Sequence, residues 1–224
     1  MMLRAIVFDF DGLMLDTETP QYLAWRELFR RHGHELPIER WVDVLGRPEW
    51  SFDFHAHLEE LAGLRLDRER LTAERRSATR DLIDEADLLP GVRDLVERAV
   101  AWGLKLAVAS GSDRPWVAGY LERHGLLGSF PVLVTREETT THKPGPEPFA
   151  EACRRLGVAP GHALALEDSP NGIASAHAAG LYAVAVPNEV TRDQTFPGAA
   201  MVLATLEGLD LDVVERAMAA RGVE

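Results

Sequence analysis

The sequence predicts an α/β fold: a Rossmann-like parallel sheet flanked by helices, with an all-helical cap inserted after the first strand. Three observations carry that prediction. Short apolar runs rich in valine, isoleucine, leucine and alanine recur, separated by segments with helical periodicity. Between the first and second runs lie about seventy residues in which no stretch reads as a strand. The runs end on polar or charged residues, where an open parallel sheet meets its ligand.

The elements follow in order. "RAIVFDF" (4–10) is a compact apolar strand. From Glu18 to about Asp84 the stretches "YLAWRELFRRHG", "ERWVDVLG", "SFDFHAHLEELAG" and "DRERLTAERRSATRDLIDEA" carry apolar residues three and four apart, with charge between them. The alternation then resumes after "LLPGV". A helix near Val92–Trp102 leads to the strand "LKLAVAS", a helix near Trp116–His124 to "PVLVT", and a helix near Pro146–Leu156 to "ALALED". A helix near Pro170–Ala179 and the strand "YAVAVP" follow, and 196–218 reads as a last short strand with closing helices. The joints "LDTETP" and "EADLLPG" divide the chain into a core of 1–15 and 86–224 and a helical cap of 16–85. There is no internal repeat or low-complexity segment.

Composition narrows the functions. With 224 residues, 46 % of them hydrophobic, the chain can bury a sizeable core. A single cysteine, Cys153, excludes an internal disulfide framework and reads as a buried filler on a helix. No apolar run is as long as a membrane span, and "MMLRAIVFDF" turns acidic too soon for a secretory signal. A cytoplasmic protein without a membrane partner is expected. A formal net charge of −12 argues against nucleic acid, which is held largely by clustered cations.

The strand ends offer Asp9 and Asp11, then Ser110 and Gly111, then Lys143, then Glu167 and Asp168. Taken singly, these are ordinary residues: an aspartate in a turn, a serine capping a helix, a lysine on a solvated loop. Taken together they suit a cation that holds a phosphoryl group. A carboxylate attacking a phosphate dianion meets like charge, about 4 kcal/mol per unit pair at roughly 4 Å and an effective dielectric near 20. Mg²⁺ bound by carboxylates, with an ammonium on a phosphate oxygen, removes that obstacle. Asp9 stands as the nucleophile that becomes an aspartyl-phosphate. Asp11, two residues on, can protonate the leaving oxygen and later deprotonate a water. Gly12 allows a tight backbone turn against the phosphate. A calcium loop of the EF-hand kind fails on spacing, because it would need its glycine at Met14 and its bidentate glutamate at Pro20.

In this order, "DFDGLMLDT", "ASGS", "KPGPEPF" and "LEDSPNG" resemble the four motifs of the haloacid dehalogenase-like superfamily, and the helical insertion resembles the cap of its β-phosphoglucomutase-like and phosphoglycolate-phosphatase-like branch. The likeness spans essentially the whole chain. It implies that Asp9 is nucleophile and metal ligand, and that Asp11 is the acid–base and lends its backbone carbonyl to the metal. By the same resemblance Ser110, with the backbone at Gly111 and Ser112, binds phosphate, and Lys143 bridges phosphate and nucleophile. Glu167 and Asp168 would complete the metal site, Ser169 and Asn171 would support it, and Thr17 would sit at the cap hinge. The dehalogenases of the superfamily lack an acid two residues after the nucleophile, so Asp11 speaks for phosphate chemistry. The branch's mutases carry a histidine where this chain has Gln21, which does not titrate, and net hydrolysis is therefore favoured.

In "GRPEW" (46–50), Arg47 is a candidate substrate contact and Trp50 a pocket wall; a solvated helix-end cation and a cap-core aromatic are the alternatives. "SDR" (112–114) is a second candidate substrate edge, or a helix cap. His55 and His57 sit two apart on a helix and face different ways, so they do not suggest a metal site. His142 reads as a loop residue bordering the site and His177 as helix packing. The charge-dense "RERLTAERRSATR" reads as an exposed helical face. The expectation is a Mg²⁺-dependent phosphatase for a small phosphorylated metabolite, monomeric, with a dimer as the alternative state. A β-phosphoglucomutase-type isomerase and a non-catalytic phosphoryl-binding regulator remain the competing functions.

Overall fold

The computed structural model describes residues 2–45 and 51–221. Its centre is a six-stranded parallel sheet of β1 (Ala5–Phe8), β2 (Lys105–Ala109), β3 (Val132–Val134), β4 (Ala163–Glu167), β5 (Tyr182–Ala185) and β6 (Met201–Val202). The strand order is β3-β2-β1-β4-β5-β6, so β1 lies between β2 and β4 with Phe8 opposite both Val108 and Leu166. That order reverses at β1, the switch point at which an open α/β sheet forms its ligand crevice.

Alternation along each strand sorts the core into two layers. Ile6, Phe8, Leu106, Val108, Leu164 and Leu166 face one side and pack with α5 (Val92–Ala101), α6 (Arg114–Arg123) and α9 (Leu211–Arg221). Ala5, Val7, Ala107, Ala109, Ala163 and Ala165 face the other, where the small alanines leave room for Phe149 of α7 (Glu147–Leu156) and Ile173 of α8 (Pro170–Ala178). Cys153 is buried in this second layer, and burial pushes its thiol up to about 11. The expected strands and core helices are present with ends trimmed by a few residues, and among the described residues the tail forms a single α-helix, α9, where closing helices were expected.

Between β1 and β2 the chain makes α1 (Glu18–Arg31), α2 (Ile38–Val42), α3 (Phe54–Ala62) and α4 (Arg68–Glu85). Aspartates start two of them, Asp53 accepting from Ala56 N at 2.9 Å and Asp67 from Arg70 N at 3.1 Å. These helices enclose their own apolar cluster of Trp25, Phe29, Trp41, Phe54, Leu58 and Leu71, joined by Val190 from the loop after β5. His55 lies edge-on to Trp25 at 4.8 Å, while His57 lies against Phe29 and Phe52 at 5.9 and 5.5 Å. No helix among the described residues is long and apolar enough to cross a membrane.

The layer under α5 and α6 depends on Phe8, which is fully buried and meets Phe130 edge-on at 5.6 Å. Phe8→Ala is expected to cost about 3–5 kcal/mol, read as a lower urea midpoint with an unchanged m-value.

Candidate active site

The sheet brings the acids together through strand pairing. Asp9 follows β1, and its N–H donates to Leu166 O at 2.9 Å, one residue before Glu167. The two carboxylates therefore emerge side by side, and Lys143 Nζ joins them, bonded to Asp9 Oδ1 and, at 2.6 Å, to Glu167 Oε1. All three are nearly inaccessible: Lys143 is 2 %, Asp9 4 % and Glu167 0 % exposed. Burial, reinforced by the charges of Glu167 and Asp11 and opposed by Lys143, holds Asp9 well above the ordinary carboxylate range. For Lys143 burial acts to lower the pKa, but Asp9 and Glu167 outweigh it and the ammonium is held above its usual value.

The lysine's long loop is fastened at several points. Glu147, at the start of α7, accepts from Thr140 N at 3.0 Å and Thr141 N at 2.6 Å, and from both hydroxyls at 2.9 and 2.8 Å. Ser175 donates to Gly145 O at 2.6 Å, and the Phe149 ring lies 5.1 Å from Lys143 Nζ. Those amide donors hold the Glu147 carboxyl down to about 2.

Glu167 is held from both sides. Its Oε1 receives Lys143, and its Oε2 receives the N–H and hydroxyl of Ser169 at 2.8 and 2.9 Å. Ser169 also caps α8 by accepting from Gly172 N at 3.1 Å. A Cβ at Gly172 would overlap the Glu167 carboxylate, so this turn of α8 needs a glycine. Asp168 is anchored differently: its Oδ2 accepts from Asn188 Nδ2 at 2.7 Å, and the same amide donates to Gly12 O at 3.1 Å. Gly12 has φ +83°, and a Cβ there would crowd both Asp168 and Asn188. Burial, with the charges of Glu167, Asp9 and Glu18, raises Asp168 well above the usual range.

Asp11 lies beyond the strand, in a turn closed by Gly12 N to Leu15 O at 2.8 Å. Its Oδ1 accepts from Thr17 Oγ1 and Trp116 Nε1, both at 2.9 Å. Its Oδ2 accepts from Ser112 Oγ at 2.6 Å and Ser110 Oγ at 3.2 Å. Ser110 and Ser112 thus reach Asp11 from the end of β2, and the Ser110 hydroxyl also accepts from Ser112 N at 3.0 Å.

These groups form the floor of a cavity of about 740 Å³ between the sheet and the inserted helices. Asp9, Asp11, Asp168, Gly111 and Ser112 line it from the sheet; Glu18, Gln21, Trp25 and Trp41 line it from the helices. Ser110, Lys143 and Glu167 sit behind that floor. Arg47 and Trp50 lie outside the described residues. Asn171 donates to Asp43 O at 3.2 Å and Leu45 O at 2.9 Å in the turn after α2. Arg114 bonds Glu138 at 3.0 Å and does not line the cavity. The α4 face expected to be exposed also borders the cavity: Arg75, Arg76 and Arg80 are in its wall, and Arg75 lies 4.9 Å over the Trp25 ring. Asn188 and Trp116 were not singled out from sequence. A strand-end census carried on past β5 reaches Asn188, whereas no local signal marks Trp116.

Carboxylate oxygens of Asp9, Glu167 and Asp168 lie within 4.8 Å of one another, a hard-oxygen set that fits a divalent cation. With both Glu167 oxygens engaged, Asp9 and Asp168 are the donors facing the cavity.

A parallel α/β sheet with paired acids, a buried lysine and hydroxyls at its switch point defines an enzyme built to handle an anionic group. A family profile for haloacid dehalogenase-like hydrolases matches residues 3–180, and the chain belongs to that family. It is 42 % identical over 190 residues to YhcW of Bacillus subtilis (strain 168), named only as a phosphatase, covering 85 % of this chain and 86 % of that one. It is 33 % identical over 184 residues to the fructose-1-phosphate phosphatase YqaB of Escherichia coli (strain K12), covering 81 % and 95 %. The β-phosphoglucomutase of Clostridium difficile shares the fold, with a TM-score of 0.78 at 24 % identity over 99 % of this chain and 100 % of that one. The chain is a phosphomonoester hydrolase of this family.

Two outcomes follow from the site. Divalent cations should raise the thermal midpoint, by about 2.7 kcal/mol in stability at a hundredfold excess over the dissociation constant, with chelator reversing the gain and Asp168→Asn removing most of it. The depressed Glu147 carboxyl contributes stability above its unfolded pKa of about 4.3 that is lost as pH falls toward 2. Acid titration of unfolding should therefore show a smaller loss over that range in Glu147→Gln than in the wild type.

Proposed function

We propose that the protein is a Mg²⁺-dependent phosphatase that hydrolyses a small phosphorylated metabolite, a sugar phosphate or phosphoglycolate-like ester, through an aspartyl-phosphate on Asp9. In this reading residues 16–85 are the cap over a core of 1–15 and 86–224. The observation that carries it is the buried Asp9–Lys143–Glu167 group beside Asp168 at the cavity floor.

Asp9 and Asp168 would hold the cation, with the Asp11 backbone carbonyl as a further donor. When bound, Mg²⁺ supplies positive charge against the phosphoryl oxygens. The Asp9 oxygen not bonded to Lys143 attacks phosphorus as the ester oxygen leaves. Asp11 gives that oxygen its proton, and the alcohol departs. Asp11, now ionised, takes a proton from a water that attacks the phosphorus of the aspartyl-phosphate, which frees inorganic phosphate and returns Asp9. Lys143 stays bonded to Asp9 and neutralises charge on it throughout. The hydroxyls of Ser110 and Ser112 and the N–H groups at Gly111 and Ser112 take the remaining phosphate oxygens.

The walls suit a hydroxylated, anionic ligand. Trp25 and Trp41 offer flat apolar faces, Gln21 an amide, and Arg75, Arg76 and Arg80 positive charge. Gln21 lines the cavity but cannot shuttle a proton between sugar hydroxyls, and this supports net hydrolysis. The similarity to a fructose-1-phosphate phosphatase, 33 % identical, supports a sugar phosphate as substrate.

A panel of phosphorylated metabolites assayed with and without Mg²⁺ should release free phosphate only with the metal. Asp9→Asn should lower kcat by a factor on the order of 10⁴ or more. Near-normal turnover by Asp9→Asn, or isomerised sugar phosphate as the main product, would contradict the reading.

A further inference from the structure

We propose that Trp116 is a positioning residue that fixes the carboxylate of Asp11 so that one of its oxygens, Oδ2, serves as the proton donor and acceptor. The inference rests on the acid–base role of Asp11 given above.

Asp11 receives four hydrogen bonds, divided evenly between its oxygens: Thr17 and Trp116 on Oδ1, Ser110 and Ser112 on Oδ2. The four donors differ in kind. A serine or threonine hydroxyl rotates and can accept as well as donate, whereas an indole N–H only donates. The two serines stand at the end of β2, where the phosphoryl group binds in the proposed reaction. A phosphate dianion is a strong competitor for their hydroxyls, so substrate binding draws them off Oδ2. Oδ1 keeps Trp116, and an indole N–H bonds a carbonyl-type oxygen better than the O–H oxygen of a carboxylic acid, so this bond favours Oδ1 as the unprotonated oxygen. The bond thereby directs the proton of the acid form to Oδ2, the oxygen that the serines have just vacated beside the substrate.

The structure holds the indole firmly in place. Trp116 lies in the first turn of α6, where Asp113 caps the helix by accepting from Trp116 N at 2.9 Å. Its ring meets Tyr120 at 4.8 Å with an interplanar angle of 69°. Tyr120 in turn donates to Asp84 Oδ1 at 2.7 Å, and Arg123 donates to Asp84 O at 2.8 Å, near the end of α4. Bonds from the inserted helices thus brace the ring that aims Asp11.

The test compares kcat/KM, which reports phosphoryl transfer to Asp9 alone, for an alkyl ester and an aryl ester in saturating Mg²⁺. Fructose 1-phosphate has a poor leaving group that needs the acid; p-nitrophenyl phosphate has a good one that does not. Trp116→Phe keeps the ring contact with Tyr120 and deletes the donor. We expect it to lose about tenfold on fructose 1-phosphate and less than about threefold on p-nitrophenyl phosphate. Trp116→His, which restores an N–H, should recover part of the loss on the alkyl ester. Equal losses on both esters, or no loss on the alkyl ester, would overturn the inference. In the unsubstituted protein the Trp116 indole proton should stay protected from solvent exchange when orthovanadate binds, and loss of protection would also overturn it. An unsubstituted enzyme that hydrolysed neither ester would instead bring down the phosphatase reading, and this inference with it.

Discussion

One buried ammonium between two buried carboxylates sets the terms for the rest of the structure. Buried acids at the floor of the cavity lose hydration and repel one another, and the Lys143 ammonium opposes that repulsion at Asp9 and Glu167, which it bonds directly. The lysine offsets part of the cost of burying them. Much of the neighbouring detail serves to keep it there: Glu147 and Ser175 fasten its loop, Phe149 supports its charge, and Ser169 holds the Glu167 carboxylate toward it. Glu167 is held on both sides, by Lys143 and by Ser169, while Asp9 and Asp168 line the cavity.

The fold makes this arrangement cheap to assemble. Placing β1 between β2 and β4 puts Asp9 next to Glu167 and brings Asp11 within hydrogen-bond reach of the serines beyond β2. The inserted helices then close the open end of the sheet. They bring aromatic and arginine side chains to a site whose floor is otherwise acidic, and through Thr17 and the Asp84–Tyr120 bond they also touch the machinery that orients Asp11. The sheet and the inserted helices thus both reach the Asp11 carboxylate.

How far the sequence could be read follows from the range of each interaction. Strands such as "AIVF" and "ALALE" announce themselves because burial on both faces demands unbroken apolar runs, and the residue after each run is polar because the sheet ends there. Asp9, Ser110, Glu167 and Asp168 were legible for that reason, whereas Asp11 and Lys143, farther past their strands, were legible through the motifs "DFDG" and "KPGPEPF". Local spacing says nothing about which way a carboxylate turns, so the lysine-facing pose of Glu167 was hidden. It says equally little about an indole in a helix turn reaching an acid more than a hundred residues earlier. The α4 face read as exposed is largely exposed, but spacing could not show that Arg75, Arg76 and Arg80 on it also border the cavity. Asn188 was missed because it lies three residues past β5, where the strand-end survey had already stopped.

The most direct test is a crystal structure of the protein grown with Mg²⁺ and beryllium trifluoride, a mimic of an acyl phosphate. The account predicts beryllium bonded to an Asp9 carboxylate oxygen, with the Lys143 ammonium on Asp9 or a fluoride and the cation between Asp9 and Asp168. Beryllium bonded to another side chain, or a cation bound away from these two aspartates, would contradict it.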